Sequence, residues 1–206
     1  MYPRGIDDLS EFIGEPDLDY LTRECIANQL GCPTDDIPLL RINISVYHSA
    51  VSNFRAPSDA SGIRDMRRER IRSTPLWNGE HPRRDCAFIV EDDSKPGMEG
   101  LAVVRVQLFF SFIFEGVYYP CALVEWFTKQ GHDPVTQLWV VQADTTDGAR
   151  DRTVIHLDSF LRGAHLIPVY GNREVPVDFH FSYSLDCYET FYINKYIDHH
   201  ANEIAS

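Results

Sequence analysis

"LFFSFIFEGVYYPCALVEWF", Leu108 to Phe127, is the one stretch of this 206-residue chain apolar enough to suggest a membrane span. Its length suits a helix crossing a bilayer. Its composition does not. Glu115-Gly116 stands in the middle, Pro120 follows shortly after, and the rest is dominated by aromatic and β-branched residues that prefer a pleated surface. Two strands around a tight turn explain the stretch better than a helix does. The chain is therefore expected to have no membrane partner.

Working outward from this hairpin, the same signature recurs. Strands are expected over Asp85–Val90, Leu101–Phe114, Val117–Phe127, Leu138–Ala143, Thr153–Asp158 and Ala164–Val169. The Gly/Pro/Asp-rich segments "DDSKPGMEG", "KQGHDP" and "DTTDGARD" are the turns. No amphipathic helix intervenes, which points to a mostly antiparallel sheet curling into a partly closed β-barrel. Upstream, "INISVYHSAVSNF" alternates with period two, placing Ile44, Val46, His48 and Ala50 on one side. "APSDASG" breaks this ribbon. "IRDMRRERIR" then reads as helical, with Asp65 and Glu69, and Arg64, Arg68 and Arg72, at four-residue spacing.

Both ends read as helical. In an N-terminal arm over 1–41, Asp17 serves as N-cap of a helix and Gly31 as its stop. At the other end a long helix is expected over 185–203, capped by Ser184, with Leu185, Tyr188, Tyr192 and Tyr196 in one narrow arc. The fold class is then α+β: the arm, and a barrel domain over 42–206 carrying a basic insert (55–84) and the C-terminal helix.

The formal charge is −12, unsuited to a protein that coats nucleic acid over its whole surface. The charge is uneven, however. Residues 55–84 contain eight arginines against four acids, a local +4 that leaves −16 for the remainder. Only three of the nineteen basic residues are lysines. Arginine's planar fork suits phosphate or carboxylate pairing. Arg64, Arg67, Arg68, Arg70 and Arg72 are the first candidates for a nucleic-acid or partner contact surface, with Trp77, Arg83 and Arg84 second. Trp77 offers a ring on which a base can stack. The competing reading is internal salt bridging, with Asp65 and Glu69 neutralising part of the array.

A metal reading attaches to "NKYIDHHANEI", Asn194 to Ile204, where His199, His200 and Glu203 fall near one helical face and Asp198 on the solvent side. It requires a third ligand from His156 or His165, and no spacing forces that convergence. The plainer reading has His199 bonding Glu203 and the imidazoles complementing a helix C-terminus. The turn acids Asp92, Asp93, Asp144, Asp147 and Asp151 form no calcium loop and read as local caps. No GxSxG and no Walker A motif occurs. No cofactor is expected. The five cysteines form no CxxC pair and read as reduced thiols of an intracellular protein. "MYPRGIDDLSEF" lacks a signal-peptide core. Pro120 implies an edge or bulge where a peptide strand can add.

Seven segments carry a family likeness: "ISVYHSAVSNFRAPSDASGI", "MRRERIRSTPLW", "RRDCAFIV", "GLAVVRVQLFFSF", "YPCALVEWF", "VIHLDSFLRGAHLIPVYG" and "FYINKYIDHHANEIA". Together they resemble the C-terminal region of proteins encoded by Plavaka-type DNA transposons of mushroom-forming fungi, relatives of the CACTA group. The resemblance runs from about Leu9 to Ala205. It implies a tail lying after a transposase core whose carboxylates hold metal ions, so it supplies no catalytic residues here. It is also similar in outline to the small BAH-like barrel of plant CACTA-type proteins. "SGIRDM" departs from the more glycine-rich form of the family at Arg64 and Asp65.

The resulting expectation is a non-catalytic accessory module, not an enzyme, in the nucleus, contacting DNA, chromatin or the transposase core. The alternatives are a metal-dependent hydrolase using the His/Glu cluster, a peptide-binding barrel, and a decayed transposon fragment without function. The sequence does not define an oligomeric state.

Overall fold

A computed structural model describes residues 2–57, 64–172, 174–175 and 177–206. The break expected at "APSDASG" and the first half of "SGIRDM" fall mainly on 58–63, outside the described residues. The arm contains helices α1 (Ile6–Ile13) and α2 (Leu18–Leu30), each stopped by a glycine in the left-handed conformation, Gly14 and Gly31. Asp17 precedes α2 as expected, but its side chain makes no capping bond.

The strands are β1 (Ser45–Tyr47), β2 (Ser49–Arg55), β3 (Met66–Trp77), β4 (His81–Arg84), β5 (Cys86–Val90), β6 (Leu101–Phe114) and β7 (Val117–His132). There follow β8 (Trp139–Ala143), β9 (Thr145–Thr146), β10 (Ala149–Arg150), β11 (Arg152–His156), β12 (Phe160–Ala164) and β13 (Leu166–Pro168). A short helix α3 (Ser184–Cys187), strand β14 (Thr190–Ile193) and helix α4 (His199–Ile204) complete the chain.

The stretch read as a hairpin is one. Phe114 pairs with Val117 across Glu115 and Gly116, both at positive φ, the backbone of a tight turn that matches strand twist. Pro120 lies just beyond the reach of β11, which pairs β7 only from Cys121 to Glu125. The main sheet is antiparallel in the order β12-β5-β6-β7-β8-β14-β13, with β1 added to β6 and β11 to β7. Its two end strands are separated in the chain by His165 alone. The sheet therefore curls far enough for one residue to step from end to end. Among the described residues no ladder joins β12 to β13, so the expected barrel is an open, curled sheet. A second sheet, β2-β3-β4, packs against it through Ile71.

Register sorts the core. On one face of the main sheet, Leu101, Val103 and Phe127 belong to one apolar cluster. Leu108, Phe110, Phe112, Tyr119, Cys121 and Leu123 belong to another, which the N-terminal arm covers with Leu9, Leu18 and Ile26. Arg105 and Glu125, register partners, stand between the two. The opposite face is continuously apolar, from Ala102 and Val104 to Phe109, Ala122 and Val124. At Gln107 the β6 register shifts by one residue. This bulge frees its carbonyl to accept the Ser73 hydroxyl at 2.7 Å, tying the small sheet to the large one.

Two helical expectations are corrected. "MRRERIR" is strand, because β2 pairs with it along its whole length and Arg67, Glu69, Ile71 and Ser73 alternate toward the interior. Charges four apart suit a helix, but cross-strand pairing overrode that local preference. The long C-terminal helix is absent as well. The aromatic and β-branched run "TFYI" pairs between β8 and β13, leaving only short helices on either side. His48, placed on one side of the ribbon with Ile44, Val46 and Ala50, is exposed at the break between β1 and β2.

Candidate functional site

Strand β3 divides the predicted arginines between two faces. Arg68 and Arg70, both exposed, and Arg72, half-buried, alternate along its outer side, opposite Asn53, Val51 and Ser49 of β2. Alternate residues of a strand lie about 6.8 Å apart, so the three guanidinium stems form an evenly spaced row. Thr74 shares this side and pairs with Arg83 of β4. Trp77 ends the row, with the Arg72 guanidinium 4.9 Å and the Arg83 guanidinium 4.8 Å from its ring centre. Its ring is thus engaged by two cations, which it orients, in place of the open stacking platform expected from sequence.

These outer arginines are largely uncompensated. Arg70 reaches the Ser49 hydroxyl at 3.3 Å and Arg72 the Arg70 carbonyl at 3.4 Å. Among the described residues, Arg64, Arg68, Arg70 and Arg72 make no salt bridge. The acids expected to neutralise them are committed elsewhere. Asp65 lies 3.9 Å from Arg55, and Glu69 accepts from the Gly163 backbone at 3.1 Å and faces the Arg162 Nε at 3.5 Å. Asp85 takes Arg83 at 2.7 Å. Arg64 sits exposed at positive φ where the chain enters β3.

Arg67 and Arg84 belong to the other side. Arg67 is half-buried, and its charge contributes to holding down the Asp198 pKa. Arg84 donates to the Gln107 amide oxygen. Two concave regions border the outer row. One of about 390 Å³ is lined by Arg68, Arg70, Arg72, Arg83, Gly163 and His165. The next, of about 430 Å³, also touches Arg83 and His165 and continues past Trp77 and His81 to Phe181, which is 74 % exposed. Together they make a groove with guanidinium groups along one part and aromatic rings along the next.

The histidines do not converge. His199 and Glu203 are exposed on α4, whereas His200 is buried and stacks on Phe54 at 4.8 Å. The Arg162 Nη1 lies 3.2 Å from His200 Nδ1, and since a guanidinium only donates, that nitrogen accepts. Both histidines open α4, reversing the expected position at a helix C-terminus. Asp198, read as solvent-facing, is the N-cap. It accepts from the Ala201 N–H at 2.7 Å and binds Arg162 through both oxygens at 2.8 and 2.6 Å. The Arg162 pairing, with help from Ala201 and Arg67, lowers the Asp198 pKa to about 2. Among the described residues no three His, Cys, Asp or Glu side chains gather as metal ligands. Of the turn acids, Asp92 caps locally, accepting from the Ser94 N–H, whereas Asp144 accepts from the distant Thr128 N–H of β7.

Sequence reasoning missed a charged cluster on the opposite side of Arg84. Glu125 of β7 stands in register with Arg105 of β6 and Arg152 of β11. Arg152 binds Glu125 at 2.9 Å and Glu15 of the arm at 2.8 Å, and Arg105 binds Asp186 of α3. The signal was present in "VVRVQ" and "LVEWF", single charges inside otherwise apolar strands. Comparison of the chain with protein-family models, with curated proteins and with solved structures finds no match.

Proposed function

We propose that the chain is a non-catalytic module that holds nucleic acid by its phosphate backbone, using Arg68, Arg70 and Arg72 with Arg83 beside them. The observation that carries this reading is that, among the described residues, none of the three row arginines makes a salt bridge, in a chain whose net charge is −12. Acids are numerous enough on the chain to neutralise the row, yet among the described residues Asp65 and Glu69 pair with Arg55 and Arg162 instead. Evenly spaced guanidiniums, with Arg72 and Arg83 oriented by Trp77, suit a repeating anion better than a single carboxylate. An acidic body around a basic row limits binding to that row and disfavours coating of the polymer. The resemblance to the tail of Plavaka-type transposon proteins supplies the context: an accessory part acting beside a transposase core, in the nucleus, on DNA or chromatin.

Titration of labelled duplex and single-stranded oligonucleotides against salt tests the reading. Three to four neutralised phosphates give a slope of log K against log salt of about −3 to −4 for duplex and about −2 to −3 for a single strand. Replacing Arg68, Arg70 and Arg72 together by alanine removes most of that slope. Binding that is absent, or that ignores salt, removes the proposal.

A further inference from the structure

We propose that Arg84 and Arg105 form a binding site for a phosphate monoester, in which the Asp186 carboxylate is an internal competitor for the same guanidinium. The site opens into the same groove that borders the outer arginine row, but its guanidiniums are different ones and it does not depend on Arg68, Arg70 or Arg72. Arg84 pairs in register with Ser73, on the side of β3 away from Arg72.

The Arg105 side chain is 10 % exposed, and its buried Nε has no hydrogen-bond partner among the described residues. Of the two acids near its terminal nitrogens, Glu125 stands 3.7 Å off and is chiefly held by Arg152, at 3.1 and 2.9 Å. That leaves Asp186 as the close acceptor, bound through both carboxylate oxygens, one of them at 3.2 Å from Nη2. Asp186 comes from a four-residue helix, and its side chain is 55 % exposed. A buried guanidinium is thus satisfied by a solvated carboxylate on a minor element, a contact that an external anion can exchange.

Arg84 supplies the second cation. It is half-buried, donates to Gln107 and makes no salt bridge among the described residues. Burial, and then the charges of Arg105 and Arg152, push its pKa below the usual arginine value. Both arginines line two abutting cavities of about 310 and 430 Å³, and Ser182 also borders both. The larger one leads out past His81 and Phe181. Two guanidiniums offer forked donors to a tetrahedral dianion, whose oxygens outnumber those of a carboxylate. The phosphate monoester comes either as free phosphate or as the end of a nucleic-acid strand.

Calorimetric titration of the full chain with orthophosphate, against chloride at matched ionic strength, provides the test. Saturable binding is expected. Arg84→Met weakens it at least tenfold, Asp186→Asn tightens it several-fold by releasing Arg105, and alanine at Arg68, Arg70 and Arg72 leaves it unchanged. A wild-type response no different from chloride overturns the proposal, as does unchanged or weaker binding in Asp186→Asn. Should Arg84→Met fail to fold, phenylglyoxal labelling of the wild-type chain decides. Phosphate must protect Arg84, read by peptide mass, and equal labelling overturns the site. Two supporting outcomes identify the source. Preference for a 5′-phosphorylated dinucleotide over both its 5′-hydroxyl form and orthophosphate identifies a strand end, whereas orthophosphate binding at least as tightly as the phosphorylated dinucleotide identifies free phosphate.

Discussion

Arg105 and Glu125 are register partners on β6 and β7, with charged groups 3.7 Å apart, and they divide one sheet face into two apolar lobes. Arg152 extends the pair to a third strand, and Glu15 ties it to the N-terminal arm. Removing such ions from water costs several kcal/mol each, so the row is a poor device for stability alone. It does fix register, because a one-residue slip of either strand turns these charges to the opposite, continuously apolar face.

The row therefore responds asymmetrically to substitution. Glu125→Leu removes the buried carboxylate the two arginines share, leaving Arg105 to Asp186 and Arg152 to Glu15, and is expected to lower unfolding free energy by about 3 kcal/mol in urea titrations. Replacing Glu15, Arg105, Glu125 and Arg152 together by Gln, Met, Leu and Met removes the buried charges as a set, the buried Glu15 included, and returns much of that loss. A combined substitution as damaging as Glu125→Leu alone would mean the charges stabilise the fold beyond their mutual pairing.

Acid should unfold the chain partly through Asp198. Its pKa is about 2 when folded, against an ordinary value of 3.8. A depressed carboxyl contributes stability that is fully present above the unfolded value and disappears as pH falls through the folded one. The contribution is thus intact above about pH 5 and fades toward pH 2. Melting temperature followed from pH 6 to pH 2 should fall less steeply in Asp198→Asn than in the wild type. Parallel curves would refute the assignment.

The adjacent histidines should behave as opposites. His200 is buried against Phe54 and accepts from Arg162, so His200→Ala is expected to cost about 1–3 kcal/mol, within the range of buried substitutions that break a polar contact. His199 is exposed, and His199→Ala should stay within about 0.5 kcal/mol of the wild type. Chelator should leave both melting curves where they were. A chelator-sensitive transition would restore the metal reading.

What the sequence made legible was local. The hairpin at Glu115-Gly116 announced itself through turn chemistry between two aromatic runs, and the stop of α2 at Gly31 through a glycine. What stayed hidden depended on partners distant in the chain. Arg67 and Arg68 look equivalent until pairing with β2 and packing on the main sheet fix which side of β3 each occupies. "SLDCYETFYINKYIDHH" has a helical arc of tyrosines, but Phe191 and Ile193 alternate as a strand, and a vacancy between β8 and β13 settles the competition. The Arg105, Glu125 and Arg152 contacts span three strands, so no window along the chain contains them.

The two sides of β3 give the sharpest separation of binding from stability. Arg70 is exposed and, among the described residues, its side chain bonds only Ser49, at 3.3 Å, so Arg70→Ala should leave the melting temperature almost unchanged. It should reduce the salt slope of nucleic-acid binding by about 0.9 for duplex or about 0.7 for a single strand, the share of one phosphate. Arg67 is half-buried on the inner side, and its charge helps keep Asp198 ionised. Arg67→Ala should therefore lower stability, increase acid sensitivity and leave the slope alone. If Arg67→Ala instead reduced the slope as much as Arg70→Ala, nucleic acid would be contacting the inner side of β3, and the outer row would lose its place as the binding surface.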